Sequence, residues 1–165
     1  MSNDLTPIHL YILLHLKRAK VDYAKMMSKL SRIDLDLINS CIEDLIKAGL
    51  IERDSGSAIK RSKAKFKKAF EVRKHHTYYK LSRKGELFVR KIDRRWLKDY
   101  FDSLIGKNAF KIIDRLKDCK DFDSVCKRLR IDRNAYFDDF VLYKLVNSNG
   151  RRTRLLELLI AFAEI

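Results

Sequence analysis

A change of hydrophobic period at Gly49 constrains the fold more than any other feature of this sequence. Before it, apolar residues repeat at steps of three and four in successive segments, which predicts helices that begin at Pro7, after Asp22 and at residue 35. After it, residues 50–53 and 76–82 are rich in β-forming side chains, which predicts the two strands of a hairpin. Gly49 lies where the third helix must stop, and we expect it in the left-handed conformation of a helix C-terminus.

This order of elements is that of a winged helix-turn-helix. The second helix and the third, over residues 35–47, form the helix-turn-helix, and residues 50–82 form the wing. We therefore predict a mostly α-helical fold with a small β-hairpin wing. The winged helix-turn-helix spans residues 1–82, and a C-terminal helical bundle follows it.

The second half of the chain has helical patterns and no strand signal. Ser82 is expected to cap one long helix over residues 83–105, which links the halves or dimerises, and Gly106 ends it. Residues 106–165 form a separate helical domain. Shorter helices are predicted there at residues 107–117, 122–130, 133–146 and 151–163. Parts of this domain are similar to residues 16–34, so it is either a degenerate helix-turn-helix without a wing or a chance match between short basic helices.

The positive charge of the chain is concentrated in the wing. The formal net charge is +15, and residues 50–82 hold ten basic and three acidic side chains, a net +7. A local excess of this kind fits the phosphates of nucleic acid, and we expect the wing to supply affinity more than base recognition. The wing residues predicted to contact DNA are Arg53, Lys60, Arg61, Lys63, Lys65, Lys67, Lys68, Arg73 and Lys74. The alternative is a solvated basic loop that serves solubility.

The third helix is unexpectedly acidic for one that reads bases. Asp36, Glu43 and Asp44 occupy positions outside its apolar stripe, so deep insertion into a groove meets phosphate repulsion. The helix-turn-helix residues predicted to contact DNA are Lys25, Lys29, Arg32, Asn39, Ser40 and Lys47. Two readings follow. The protein is a transcription regulator that binds double-stranded DNA with limited base readout, or it is a protein-interaction or RNA-associated module.

The wing also carries a resemblance to a known family. The segments Ser55-Gly56-Ser57-Ala58-Ile59-Lys60-Arg61 and His75-His76-Thr77-Tyr78-Tyr79-Lys80-Leu81 resemble a winged-helix family of uncharacterised function found chiefly in archaea. His9-Leu10-Tyr11-Ile12-Leu13-Leu14 fits the same pattern, and the resemblance covers roughly residues 8–90. More distantly, the chain is similar to regulators of the multiple-antibiotic-resistance and arsenic-repressor types. The resemblance implies a winged-helix fold and a DNA-binding or regulatory role.

Large apolar side chains after the wing exceed what one small domain is expected to cover. We therefore predict a homodimer. The residues assigned to its interface are Trp96, Tyr100, Phe101, Leu155, Leu159 and Phe162.

Several other classes of protein find no support in the sequence. It contains no glycine-rich phosphate loop, nucleophile elbow or zinc-ligand spacing, so we expect no enzyme activity, no cofactor and no metal site. No apolar run approaches the roughly 18 residues of a membrane span, and the first residues lack the pattern of a secretory signal. A cytoplasmic location is the expectation.

Overall fold

The computed structural model describes residues 4–55 and 76–165. This part of the chain is mostly helical, with one small antiparallel sheet of three strands, as the sequence predicts at that level of detail. None of the helices within it is long and apolar enough to cross a membrane. The chain divides into two compact units. Unit A is Ile12–Val89, and unit B combines the described residues up to Tyr11 with Arg90–Ile165.

The helices before the sheet follow the predicted pattern. Helix α1 is Pro7–Ala19, α2 is Ala24–Ser31 and α3 is Leu35–Lys47. Helix α1 is buried from Pro7 to Leu16, as expected of a segment that is apolar on nearly every side. Gly49 follows α3 with φ of 76°, which confirms the predicted left-handed stop.

The sheet contains one strand that the sequence does not predict. Strand β1 is Asp22–Tyr23, β2 is Ile51–Arg53 and β3 is Tyr78–Leu81, and β3 lies in the middle with both neighbours antiparallel. Asp22 is therefore a strand residue, and Tyr23, not Asp22, directly precedes the helix that the sequence places after Asp22. The carboxylate of Asp22 lies 2.7 Å from Nε2 of His15 on α1, a contact that holds β1 against that helix.

The predicted long helix over residues 83–105 is two helices. Helix α4 is Arg83–Arg90 and α5 is Arg94–Leu104. Asp93 adopts an extended backbone between them, and its side chain accepts a hydrogen bond of 2.8 Å from the backbone nitrogen of Trp96. An aspartate that caps a new helix in this way ends the preceding one, because its own backbone is no longer helical. The predicted cap at Ser82 is confirmed, since its Oγ accepts a 3.0 Å bond from the nitrogen of Gly85.

Unit B continues with short elements. Helix α6 is Ala109–Leu116, α7 is Phe122–Leu129, α8 is Phe137–Leu142 and α9 is Arg154–Phe162. The predicted helix over 133–146 is wrong in extent, because residues Arg133–Ala135 form a 3-10 turn and Tyr136 leaves the helical region before α8. Residues 121 and 151 form an antiparallel bridge, as do residues 146 and 152, so strand-like pairing occurs where none is predicted.

Most side chains predicted to form a dimer surface lie inside the chain's own core. Trp96 stacks on Tyr100 with ring centres 5.1 Å apart, and Phe162 stacks on Tyr11 at 6.2 Å. Burial raises the pKa of the Tyr100 hydroxyl. Four of the six predicted interface residues are buried: Tyr100, Phe101, Leu155 and Leu159. Their burial does not fit the predicted role at a dimer interface in this conformation, and the homodimer stays a prediction.

Candidate nucleic-acid interface

The connection between α2 and α3 is a tight turn with a fixed geometry. Arg32 ends α2 in the left-handed conformation, with φ of 60° and ψ of 29°. Ile33 next to it is buried, and its carbonyl accepts a 2.5 Å bond from the hydroxyl of Ser28. The hydroxyl of Ser31 donates to the Met27 carbonyl at 2.7 Å. These bonds satisfy polar groups at the end of α2 and set the direction in which α3 begins.

Most charged and amide side chains of this helix pair are exposed. On α3 the buried positions are Ile38, Cys41, Ile42 and Leu45, which confirms the apolar face that the spacing predicts. All six residues that the sequence assigns to DNA contact on this part of the chain are exposed: Lys25, Lys29, Arg32, Asn39, Ser40 and Lys47. The exposed surface of α3 also carries its acids, so the helix presents both signs of charge.

A groove lies between the start of α2, the first half of α3 and the residues just before β3. Its volume is about 350 Å³, and it brings Lys25 and Asn39 together with His76 and Thr77, which directly precede β3. The remaining lining residues are Tyr23, Ala24, Leu35 and Tyr79. The groove is open to solvent, and it presents aromatic rings, one cation and one amide.

Aromatic packing builds one wall of the groove. The ring of Tyr23 stacks on that of His76 with centres 4.2 Å apart, and Tyr78 meets Tyr23 edge-on at 5.3 Å. Tyr79 is buried on the adjoining strand. The wall consists of Tyr23, His76 and Tyr79, since Tyr78 does not line the groove, and the pairing of β1 with β3 positions it.

Charges of the sheet offset part of the acidity of α3. Nη2 of Arg53 on β2 lies 3.8 Å from Oε1 of Glu43 on α3, with both side chains more than half exposed. Nζ of Lys80 on β3 lies 3.8 Å from Glu52 and 3.7 Å from the buried carboxylate of Asp54. The exposed Arg53–Glu43 pair contributes little to stability, yet it reduces the repulsion that a phosphate meets near α3, whereas Lys80 is paired with acids of the sheet itself.

Most of the predicted wing cations lie outside the described residues. These are Lys60, Arg61, Lys63, Lys65, Lys67, Lys68, Arg73 and Lys74. Arg53 is described, and it is exposed at the end of β2. Within residues 4–55 and 76–165, no three His, Cys, Asp or Glu side chains come together in a way that could hold a metal ion.

The sequence does not reveal the groove itself. Lys25 and Asn39 are each predicted to contact DNA, but no pattern in the sequence places His76 and Thr77 beside them. Strand β1 brings these residues together, and a strand of two residues has no period to detect. The 52 residues between Tyr23 and His76 also hide their contact in the sequence.

The family assignment rests on the region that contains this groove. Residues 4–92 match a family described as an uncharacterized protein conserved in archaea (DUF2250). The chain belongs to this archaeal family. The match confirms the predicted resemblance to an uncharacterised archaeal family, and it takes in all groove residues and all three strands. No curated protein and no solved structure matches the chain.

Proposed function

We propose that this member of the archaeal family binds double-stranded DNA and acts as a transcription regulator, with a winged helix-turn-helix over residues 1–82. The observation that carries the proposal is the groove, which joins α3 to the end of the hairpin at the side chains of Asn39, Lys25 and Thr77. In winged-helix proteins the third helix and the wing contact one duplex together, so the two must lie side by side.

Phosphate contacts supply most of the affinity in this proposal. Lys25, Lys29 and Arg32 are exposed on α2 and its turn, where they can position the backbone of a duplex. The net +7 of residues 50–82 adds the larger electrostatic contribution.

Base recognition is limited to the first half of α3. Asn39 and Ser40 are exposed there, and an asparagine can pair with the edge of adenine in the major groove. Asp36 and Glu43 on the same helix oppose close approach to phosphates. We therefore expect modest differences in affinity between specific and random sequences.

The salt dependence of duplex binding tests this function. If about five phosphates are neutralised, log K falls with log salt at a slope of about −4.5. The variant K63Q/K65Q/K67Q removes three wing cations without changing the chain length, and we expect its slope to be shallower by about 2.7. The variant K107Q/K111Q/K117Q removes the same charge from exposed positions of unit B and serves as the matched control. Equal slopes for the two variants would contradict the assignment of the wing.

The acids of α3 favour one other function. Asp36, Glu43 and Asp44 are exposed on that helix, a surface that suits a basic protein partner better than DNA. The full-length protein would then fail to shift duplex DNA, and substitution of these acids would weaken capture of the partner. Better competition by structured RNA than by duplex would identify an RNA-associated module instead.

A further inference from the structure

The turn between α2 and α3 has a counterpart in unit B. Helices α2 and α7 have eight residues each, and both end at an arginine in the left-handed conformation. Arg32 has φ of 60° and Arg130 has φ of 57°. Each is followed by isoleucine and then by an aspartate outside the helical region, Asp34 with ψ of 137° and Asp132 with ψ of 110°, at which the next helical segment begins.

The strand pairing around these helices is also repeated. In unit A, Asp22 before α2 pairs with β3, which pairs with β2 after α3. In unit B, residue 121 immediately before α7 bridges to residue 151, and residue 152 bridges to residue 146 after α8. The order of helix, pairing residue, helix, left-handed turn, helix and hairpin is therefore the same in both units. The sequence suggested a repeat without a wing, whereas unit B has a minimal hairpin of this kind.

The hairpin of unit B closes through a short ordered turn. The nitrogen of Asn147 donates to the Arg151 carbonyl at 2.8 Å, and Gly150 adopts φ of 76°. The side-chain oxygen of Asn147 accepts bonds from the nitrogens of Asn149 and Arg151, at 2.9 and 3.1 Å. A turn held by its own side chain keeps the two bridged residues in register.

The third helical segment of unit B is poorly suited to reading bases. Helix α8 has six residues and carries Asp138 and Asp139 in its first turn. Arg133 before it is engaged within the unit, with Nε 2.7 Å from Asp123 and its guanidinium 3.8 Å above the ring of Phe137. Exposed cations lie instead at the end of α7 and in its turn. They are Lys127, Arg128 and Arg130.

We propose that residues 109–152 form a second, short-winged module, and that Lys127, Arg128 and Arg130 bind the phosphate backbone of double-stranded DNA. The proposal rests on the proposed function, since it adds a second contact to the same ligand. The short acidic α8 restricts this module to phosphates, so it lengthens the contact with DNA and adds affinity without sequence preference. The corresponding place in unit A, at the end of α2, carries Lys29 and Arg32, which are exposed in the same way.

The test is a titration of the full-length protein with a random 30-base-pair duplex at several salt concentrations. For K127Q/R128Q/R130Q we expect a slope shallower by about 2.7 than that of the unsubstituted protein, and an affinity lower by about tenfold or more at 0.1 M salt. K91Q/R95Q/K107Q removes the same charge from exposed positions outside residues 109–152 and is the matched control, so its slope should stay close to that of the unsubstituted protein. If the triple variant unfolds, K127Q/R128Q leaves the left-handed residue in place and predicts a change of about 1.8.

The outcomes separate this inference from the proposed function. A protein that binds the duplex steeply but shows the same slope with and without the three cations overturns the second module and leaves the function of unit A standing. Equal reductions of the salt slope in the triple variant and in its control also overturn the second module, because the loss of net charge alone then explains the effect. A full-length protein that does not bind duplex DNA at any salt concentration contradicts the proposed function and the inference with it.

Discussion

At the scale of single residues, Gly85 shows how closely α4 approaches the end of α3. A β-carbon on Gly85 would collide with the carbonyl oxygen of Leu50. That oxygen accepts a 3.0 Å bond from the nitrogen of Ser82, and the Ser82 hydroxyl donates to the carbonyl of Gly49. The backbone of residues 49–50 is therefore tied to the start of α4, and it cannot move aside without loss of hydrogen bonds.

Substitution of this glycine is expected to be costly. We predict that Gly85→Ala lowers the free energy of unfolding by about 2 kcal/mol or more, since the methyl group forces apart two hydrogen-bonded segments. Gly49→Ala is the control, because it meets only the end of the Lys84 side chain and its cost of about 1 kcal/mol comes from the positive φ. Urea denaturation measures both. A smaller loss of unfolding free energy for Gly85→Ala than for Gly49→Ala would contradict the close approach of Gly85 to the Leu50 carbonyl.

At the scale of elements, aspartates decide where several helices begin. The carboxylate of Asp121 accepts bonds from the hydroxyl of Ser124 at 2.6 Å and from its backbone nitrogen at 3.0 Å, and caps α7. These bonds hold the pKa of Asp121 below its usual value of 3.8. Because the folded-state pKa is depressed, the charged cap stabilises the fold above about pH 3.8, and this contribution is lost as the pH falls through the lowered pKa.

The capping role of Asp121 predicts a difference in the free energy of unfolding that depends on pH. Asp121→Ala should lower the free energy of unfolding by about 1 kcal/mol at pH 7, and the difference from the unsubstituted protein should narrow below pH 3.8. Asp118→Ala changes an exposed aspartate just before α7 and should leave stability within about 0.5 kcal/mol. Thermal unfolding at several pH values measures both variants. A difference that stays constant from pH 7 to pH 3 would contradict the role of the ionised carboxylate.

Elements were predictable where a periodic pattern is long enough to detect. Helix α3 and the stop at Gly49 follow from apolar spacing and one glycine, and Ser82 caps its helix as expected. The break at Asp93 was missed because the apolar spacing continues across it, and only the local bond to Trp96 reveals the new start. Strand β1 and the bridges of unit B consist of one or two residues each, which is too short for any alternation.

The candidate site was predictable residue by residue but not as an arrangement. Lys25 and Asn39 follow from their type and their position outside the apolar stripe of each helix. Their meeting with His76 and Tyr23 depends on the pairing of β1 with β3, a contact between distant parts of the sequence. The burial of Tyr100 and Phe101 was likewise hidden, since a sequence shows that a side chain is apolar but not which surface covers it.

At the scale of the whole chain, the family match covers only the first of the two repeated sets of elements. The family region, residues 4–92, contains the groove and the basic residues 50–82. The left-handed Arg130 and the second hairpin lie beyond it. The net charge of +15 is shared between both parts, with its highest density in residues 50–82. The two proposed DNA contacts, with the larger contribution to affinity from residues 50–82, would account for this distribution.

Amide chemical shifts during a titration with duplex DNA test the central claim most directly. If α3 and the hairpin contact DNA together, a 20-base-pair duplex should shift the amides around the groove at Lys25, Asn39, His76 and Thr77, together with Arg32 in the turn. The amides of buried Ile12 and Leu13 on α1 serve as internal controls and should shift little. Unchanged groove amides at saturating duplex, or shifts confined to residues outside α2, α3 and the hairpin, would contradict the account.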